Sequence, residues 1–104
     1  MNFSQMKQAQ QMKSRMDKIK KEMEKVIVEV NVGNNAVKVT INGAQKILSI
    51  KLAPQAVNPD KIKSLEDMIT KGVNEAIEKS QKAAAKEFQS MAGDMGINLP
   101  GMGK

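Results

Sequence analysis

The residues best suited to bind a ligand are the cationic side chains near the start of the chain. Residues 1–25 hold seven Lys and Arg against three Asp and Glu, a net charge of +4 out of +6 for the whole chain. On a helix, with about 100° per residue, one narrow arc without acidic residues holds four of them: Lys7, Lys18, Lys21 and Lys25. Such a row suits a phosphate backbone, because each ammonium group can displace a condensed counterion.

The same pattern has a second interpretation. A lysine-rich helix face is common where a helix simply meets solvent, so the arc is either an anion-binding stripe or an ordinary solvated face. Charge alone also leaves the polyanion open, since DNA, RNA and an anionic membrane surface would all attract these side chains. The only aromatic residues are Phe3 and Phe88, and this scarcity argues against base stacking on single strands.

The element that must position the lysines is a helix from about Ser4 to Lys25. This segment contains no Gly or Pro and consists mainly of good helix formers. Nearly opposite the lysine arc, the 4-3-4-3 spacing of a coiled-coil-like seam selects four apolar residues: Met12, Met16, Ile19 and Met23. A helix of this length spans about 33 Å, against about 23 Å for a seven-residue strand. Part of this dimer or core seam should therefore extend beyond the sheet, and a second copy of the chain is the simplest partner.

Three segments with alternating apolar and polar residues follow the helix. They cover residues 26–32, 37–42 and 48–52, and Gly-containing turns at residues 33–35 and 43–44 separate them. Period-two alternation predicts half-buried strands, and short turns between them predict an antiparallel meander. Because three strands cannot bury their apolar face alone, we expect the flanking helices to cover it.

A long second helix is predicted after the strands, ending near Met91. Its start is open between Asn58, which precedes a proline, and Ser64, which resembles the first residue of a capping box. A short helical turn followed by the main helix would satisfy both signals. Gly72 interrupts the apolar face and predicts a close approach to the sheet or to the first helix.

The charges of the second helix balance, with six Lys against six Asp and Glu in residues 54–91. Two lysines stand four residues after glutamates, which predicts the surface ion pairs Glu75–Lys79 and Glu78–Lys82. The fold class expected is α+β: an N-terminal helix, a three-stranded antiparallel meander and a long C-terminal helix. Residues 1–91 are predicted to form a single domain, and residues 92–104, rich in Gly and Met, a flexible tail.

The composition argues against catalysis. The chain has neither His nor Cys, which removes the commonest general base and metal ligand and any disulfide framework. No phosphate-binding glycine motif follows a strand, and no acidic cluster has metal-ligand spacing. We therefore expect no enzyme activity, no cofactor, no metal and no small-molecule substrate. No apolar run approaches the roughly 20 residues of a membrane span, and a cytoplasmic protein without membrane contact is expected.

Four sequence motifs, in this order, resemble the YbaB/EbfC family of bacterial nucleoid-associated proteins. They are MKQAQQMKSRM (residues 6–16), VKVTING (37–43), LEDMITKGVNEAIEKSQK (65–82) and NLPGMG (98–103). The resemblance covers nearly the whole chain. It implies an α/β homodimer shaped like tweezers whose helices project from the sheets and bind double-stranded DNA. It also implies a place in the bacterial nucleoid and an influence on nucleoid organisation and gene expression.

If the ligand is DNA, the first helix supplies the expected contacts. The four lysines of the arc would be the main phosphate contacts, and three neighbouring cations would be secondary ones: Lys13, Arg15 and Lys20. With a single arginine on this helix, we expect weak sequence preference and strong salt dependence. The alternative function is a dimeric adaptor that uses its Met-rich seam to bind proteins and does not bind DNA.

Overall fold

The computed structural model describes residues 2–94. Two helices and a three-stranded sheet follow one another in this order: α1 (Phe3–Lys25), β1 (Ile27–Val32), β2 (Val37–Asn42), β3 (Ile47–Leu52) and α2 (Ile62–Asp94). The predicted α+β arrangement of helix, antiparallel meander and long C-terminal helix is confirmed. The predicted division into a domain of residues 1–91 and a tail of residues 92–104 stays a prediction, since most of that tail lies outside the described residues.

Local signals explain where the elements begin and end. The Asn2 side chain accepts a hydrogen bond from the backbone N–H of Gln5 at 2.9 Å, the usual N-cap of a helix. The turn between β1 and β2 places Gly33, Asn34 and Asn35 at positive φ. Glycine and asparagine adopt that conformation most readily, so this turn forms where the sequence predicts it.

Of the two predicted start signals for the second helix, Asn58 is the one that the structure uses. Asn58 caps a short 3-10 turn, Pro59–Lys61, by accepting a hydrogen bond from the backbone N–H of Asp60 at 2.9 Å. This turn leads directly into α2 at Ile62. Ser64 lies inside the helix and does not cap it, so the short helical turn resolves the ambiguity.

The core lies between α2 and the first two strands. A cluster of buried residues joins them: Val30, Val32, Val37, Val39, Ile41, Leu65 and Ala76. Gly72 makes the close approach of α2 possible, because a Cβ atom at this position would lie 3.1 Å from Val39 Cγ2 and 3.2 Å from Val32 Cγ2. The predicted close approach at Gly72 is confirmed, and its partner is the sheet.

The expectation that helices cover the whole apolar face is wrong for β3. The strand order is β1-β2-β3, and α2 packs mainly on β1 and β2, while Ile47 is the residue of β3 that packs against the core cluster. Ile50 and Leu52 pair with Val39 and Val37 and so share their face, yet they are 43% and 38% exposed, and Leu48 is 46% exposed. A helix about 10 Å wide covers roughly two strands spaced 4.8 Å apart, and α1 does not supply the missing cover.

One of the two ion pairs predicted for α2 forms, and a further pair has the same spacing of four residues. Lys82 Nζ lies 3.5 Å from Glu78 Oε1, as predicted, and Lys63 Nζ lies 3.0 Å from Asp67 Oδ1. The predicted Glu75–Lys79 pair is wrong, since it is not among the ion pairs within 4.0 Å found in residues 2–94. Glu75 is half-buried while Lys79 is exposed, so their side chains occupy different environments.

Candidate nucleic-acid interface

The first helix projects from the rest of the molecule. Residues 2–18 are all exposed, Ile19 is half-buried, and Met23 is the buried residue of α1. The molecule measures 66 × 33 × 17 Å along its principal axes, which reflects this extended arrangement. α1 therefore touches the core only through its last turns, and its free part is open to a ligand.

Every predicted DNA contact lies on the surface of α1. Lys25 is the one with a carboxylate nearby, since its Nζ lies 3.3 Å from Glu22 Oε1. Within the described part of the chain, six others have no carboxylate within 4.0 Å: Lys7, Lys13, Arg15, Lys18, Lys20 and Lys21. Their charges are therefore available to an external anion, which is the electrostatic requirement for binding a phosphate backbone.

Three of these cations share one side of the helix. Lys13, Lys18 and Lys21 line a shallow surface depression of about 460 Å³. Asp17 lines the same depression, so a carboxylate borders the lysine arc at this point. Three ammonium groups against one carboxylate still leave the depression electropositive.

Lys18 also faces a second set of charges at the base of α1. A cleft of about 150 Å³ between the two helices is lined by Lys18 and Glu22 of α1 and by Glu87, Met91 and Asp94 of α2. None of these carboxylates comes within 4.0 Å of the Lys18 ammonium. Because solvent screens exposed charges beyond about 10 Å at 0.1 M salt, this acidic cleft affects Lys18 far more than lysines nearer the start of α1.

The predicted dimer or core seam divides into two halves. Met23 is in the core and Ile19 is half-buried, whereas Met12 and Met16 are 68% and 67% exposed. The overhang that the helix length predicts is therefore present. Whether the exposed half contacts a second copy stays a prediction.

The turn between β2 and β3 holds the base of α1 in place. The backbone N–H of Gly43 donates to the carbonyl oxygens of Met23 at 3.0 Å and Val26 at 2.9 Å. Met23 lies in the last turn of the helix, where its carbonyl oxygen also accepts from the backbone N–H of Val26, the C-cap residue, at 3.1 Å. A Cβ atom at Gly43 would lie 2.8 Å from the Met23 oxygen, so a glycine is needed for this contact.

A buried hydroxyl connects the same turn to the middle of α2. Ser80 Oγ donates to the Asn42 carbonyl oxygen at 2.7 Å and accepts from Gln45 Nε2 at 2.7 Å. Asn42 Oδ1 in turn accepts from the backbone N–H groups of Ala44 and Lys46. This network was not predicted from the sequence, although Ser80 falls four residues after the apolar Ala76 and on the same helix face, which is the available signal.

The polar residues Thr40, Asn42 and Ser49 alternate onto the face of the sheet opposite α2. Asn42 is buried and its amide oxygen is used by the turn, while Thr40 and Ser49 pair across neighbouring strands. In residues 2–94, no three His, Cys, Asp or Glu side chains come together to hold a metal ion. None of the helices described is both long enough and apolar enough to span a membrane.

Comparisons with known proteins identify relatives of the whole chain. A nucleoid-associated protein of Syntrophobacter fumaroxidans is 37% identical over 96% of this chain and 89% of its own length. Another from Lachnoclostridium phytofermentans is 42% identical over 94% of this chain and 82% of its own length. The crystal structure of an uncharacterized Helicobacter pylori protein has the same fold, with a TM-score of 0.64 and 18% identity over 91% of this chain and 97% of that one.

The family profile agrees with these relatives and with the geometry of the first helix. The profile of the YbaB/EbfC DNA-binding family matches residues 1–95, which include α1, the sheet and α2. Because this profile matches and the two relatives are 37% and 42% identical to it, this chain belongs to the YbaB/EbfC DNA-binding family.

Proposed function

We propose that this nucleoid-associated protein binds duplex DNA through the phosphate backbone, with α1 as the contact element. The observation that carries the proposal is the projecting helix, whose exposed cations have no carboxylate within 4.0 Å at six of seven positions among the described residues. Membership of a DNA-binding family supports DNA as the polyanion. The adaptor alternative, which lacks DNA binding, is not favoured by that membership.

Binding of this kind is mainly electrostatic. Lys7 and Lys25 are 18 residues apart, about 27 Å along a helix, which is comparable to the 34 Å of one duplex turn. Lysine acts as a point charge on phosphate, whereas bidentate reading of guanine is typical of arginine, and α1 has one arginine. Affinity should therefore depend strongly on salt and weakly on sequence.

The biological role follows from binding and involves no reaction. A protein that contacts phosphates with little sequence preference covers or links DNA, and in that way affects nucleoid organisation and gene expression. The names of the bacterial relatives as nucleoid-associated proteins support this location for the protein. No substrate, cofactor or metal is needed for it.

The active form is a homodimer, and the uncovered part of the sheet supports this. Leu48, Ile50 and Leu52 lie on β3, an edge strand, and expose apolar side chains beside the core. A second copy can cover this face and pair with the free strand edge, which isolated proteins otherwise leave open to aggregation. Two copies joined there present two projecting α1 helices, like the arms of tweezers, with the exposed Met12 and Met16 available for further contact.

Substitution on β3 tests the dimer. The variant Ile50→Lys/Leu52→Lys places two charges on the exposed apolar face, so a dimer formed there should dissociate to monomers in analytical ultracentrifugation. The control Ile27→Lys changes an even more exposed apolar residue of the opposite edge strand, β1, and should remain dimeric. A monomeric wild-type protein, or a dimer unaffected by the double change, would contradict this interface.

Charge reversal tests the DNA site. Lys18→Glu/Lys21→Glu changes the charge of α1 by −4 and should reduce affinity for a random-sequence duplex by about 100-fold or more. The control Lys63→Glu/Lys82→Glu changes the total charge equally but at ion-paired lysines of α2, and it should cost much less affinity. Equal losses in both variants would show that only net charge matters, and unchanged binding by the α1 variant would contradict the proposed site.

A further inference from the structure

The sheet has a second basic surface on the face opposite α2. Residues 26–53 contain three Lys and one Glu, a net charge of +2. Within each strand, side chains alternate between the two faces, so Lys38 and Lys51 lie on the face that α2 does not cover. Both are at least partly exposed, together with Glu29 and Asn31. The DNA site proposed on α1 does not use this surface.

The arrangement of the two lysines is electrostatically unfavourable in the absence of an anion. Lys38 and Lys51 pair directly across β2 and β3, where Cβ atoms are about 5 Å apart and like charges destabilise the sheet. Glu29 Oε1 lies 3.3 Å from Lys38 Nζ and offsets one of the charges. For Lys51, no carboxylate occurs within 4.0 Å among residues 2–94.

The surroundings of the lysine pair are suited to phosphate. Lys38 and Lys51 line a shallow depression of about 420 Å³ with Glu29, Asn31 and Asn35. Amide and ammonium groups of this kind donate hydrogen bonds to phosphate oxygens. The face carries no aromatic side chain, so it offers nothing on which unpaired bases could stack.

We propose that this sheet face binds the phosphate backbone of a second duplex, so that one protein molecule links two DNA segments. The inference rests on the proposed DNA binding by α1. The two basic surfaces share no lining residue, and α1 borders a cleft against α2, which covers the opposite face of the sheet, so the two surfaces are separate sites. With two lysines and one glutamate, the sheet site binds more weakly than α1 and acts after the first duplex is held.

A two-duplex capture assay separates the two sites. One duplex is immobilised on beads, the full-length protein is bound to it, and capture of a labelled second duplex is measured. The variant Lys38→Gln/Lys51→Gln removes both charges and leaves polar side chains in their place. It should retain affinity for a single duplex within about two-fold and lose most of the capture of the second duplex.

Matched variants make the outcome decisive. Lys63→Gln/Lys82→Gln removes the same charge from α2 and should capture the second duplex like the wild type. Capture by Lys38→Gln/Lys51→Gln at the wild-type level would overturn the sheet site, as would a wild-type protein that holds one duplex but captures no second. Failure of the wild type to bind even one duplex would instead refute the function proposed for α1. Thermal unfolding of each variant confirms that it is folded, and relief of the like-charge pair should not lower the Tm.

Discussion

The two helices are both rich in lysine, yet the structure uses them differently. In α2, five lysines are balanced by six acidic residues, Lys63 and Lys82 pair with carboxylates one turn away, and the apolar face packs on β1 and β2. In α1, residues 2–18 are all exposed. Among the predicted DNA contacts in the described part of the chain, Lys25 is the one that forms an ion pair, with Glu22. The comparison teaches that the number of lysines alone does not indicate a ligand site, because acidic residues balance the lysines of α2, whereas α1 keeps a net charge of +4.

Breaking the core contact of α2 should have the largest effect on stability. Gly72→Leu places a side chain at a position where even a Cβ atom would lie only 3.1 Å from Val39 Cγ2. Overpacking of this kind costs about 3 kcal/mol. The Tm should fall by more than 10 °C, measured by circular dichroism. The control Gly93→Ala, at a site with nothing within 4 Å, should leave the Tm unchanged or raise it. An unchanged Tm for Gly72→Leu would contradict the packing described for α2.

Disturbing the base of α1 should have a smaller effect that reaches DNA binding. Gly43→Ala forces its Cβ against the Met23 carbonyl oxygen and weakens two hydrogen bonds to the end of α1, at a cost of about 2 kcal/mol. Amide hydrogen exchange in the last turns of α1 should accelerate, and duplex affinity should fall as the helix loses its fixed direction. If exchange in α1 is unaffected, the turn does not hold the helix.

Removal of the buried hydroxyl should have a milder effect. Ser80→Ala takes a hydrogen-bond partner from Asn42 and Gln45, which should lower the free energy of unfolding by about 1 kcal/mol. Ser90→Ala, at an exposed position of the same helix, serves as the control and should be neutral in urea unfolding. Equal stability of the two variants would mean that the network contributes nothing measurable.

Single charge neutralisation should have the smallest effect and compares the helices most closely. Lys21→Gln removes one unpaired charge of α1 and should weaken duplex binding roughly two- to five-fold, with a shallower salt dependence. Lys63→Gln removes one paired charge of α2 and should change affinity less. The duplex affinities of the two variants are compared by fluorescence anisotropy in one buffer. Equal affinities would show that lysines of α1 and α2 contribute alike to DNA binding.

The sequence predicted the parts of the fold that depend on local pattern. Alternation in the strands and the Gly-Asn-Asn turn have short-range causes, and a glycine within the apolar face of α2 is a local signal of a close approach; the structure confirms all three. The exposure of Ile50 and Leu52 could not be predicted in this way, because it depends on which strands α2 covers. Alternation shows that a strand has an apolar face but not what covers it.

The charges of the candidate site could be predicted from the sequence, but the contacts that hold α1 in position could not. The lysine pattern of α1 follows directly from residue spacing, and so does the overhang of the seam at Met12 and Met16. The contacts that hold the base of α1 join residues distant in sequence: Gly43 is 20 positions from Met23, and Gln45 links the same turn to Ser80, 35 positions away. Such contacts require the tertiary structure, as does the finding that Lys18 faces an acidic cleft.

The most direct test of the account is the salt dependence of binding to a random-sequence duplex. Each phosphate contact contributes about −0.9 to the slope of log K against log salt concentration. Four contacts from α1 therefore predict a slope near −4 for one helix and steeper for a dimer, and Lys18→Glu/Lys21→Glu should flatten it. A slope near zero, or no binding at low salt, would contradict a phosphate-dominated interface on α1.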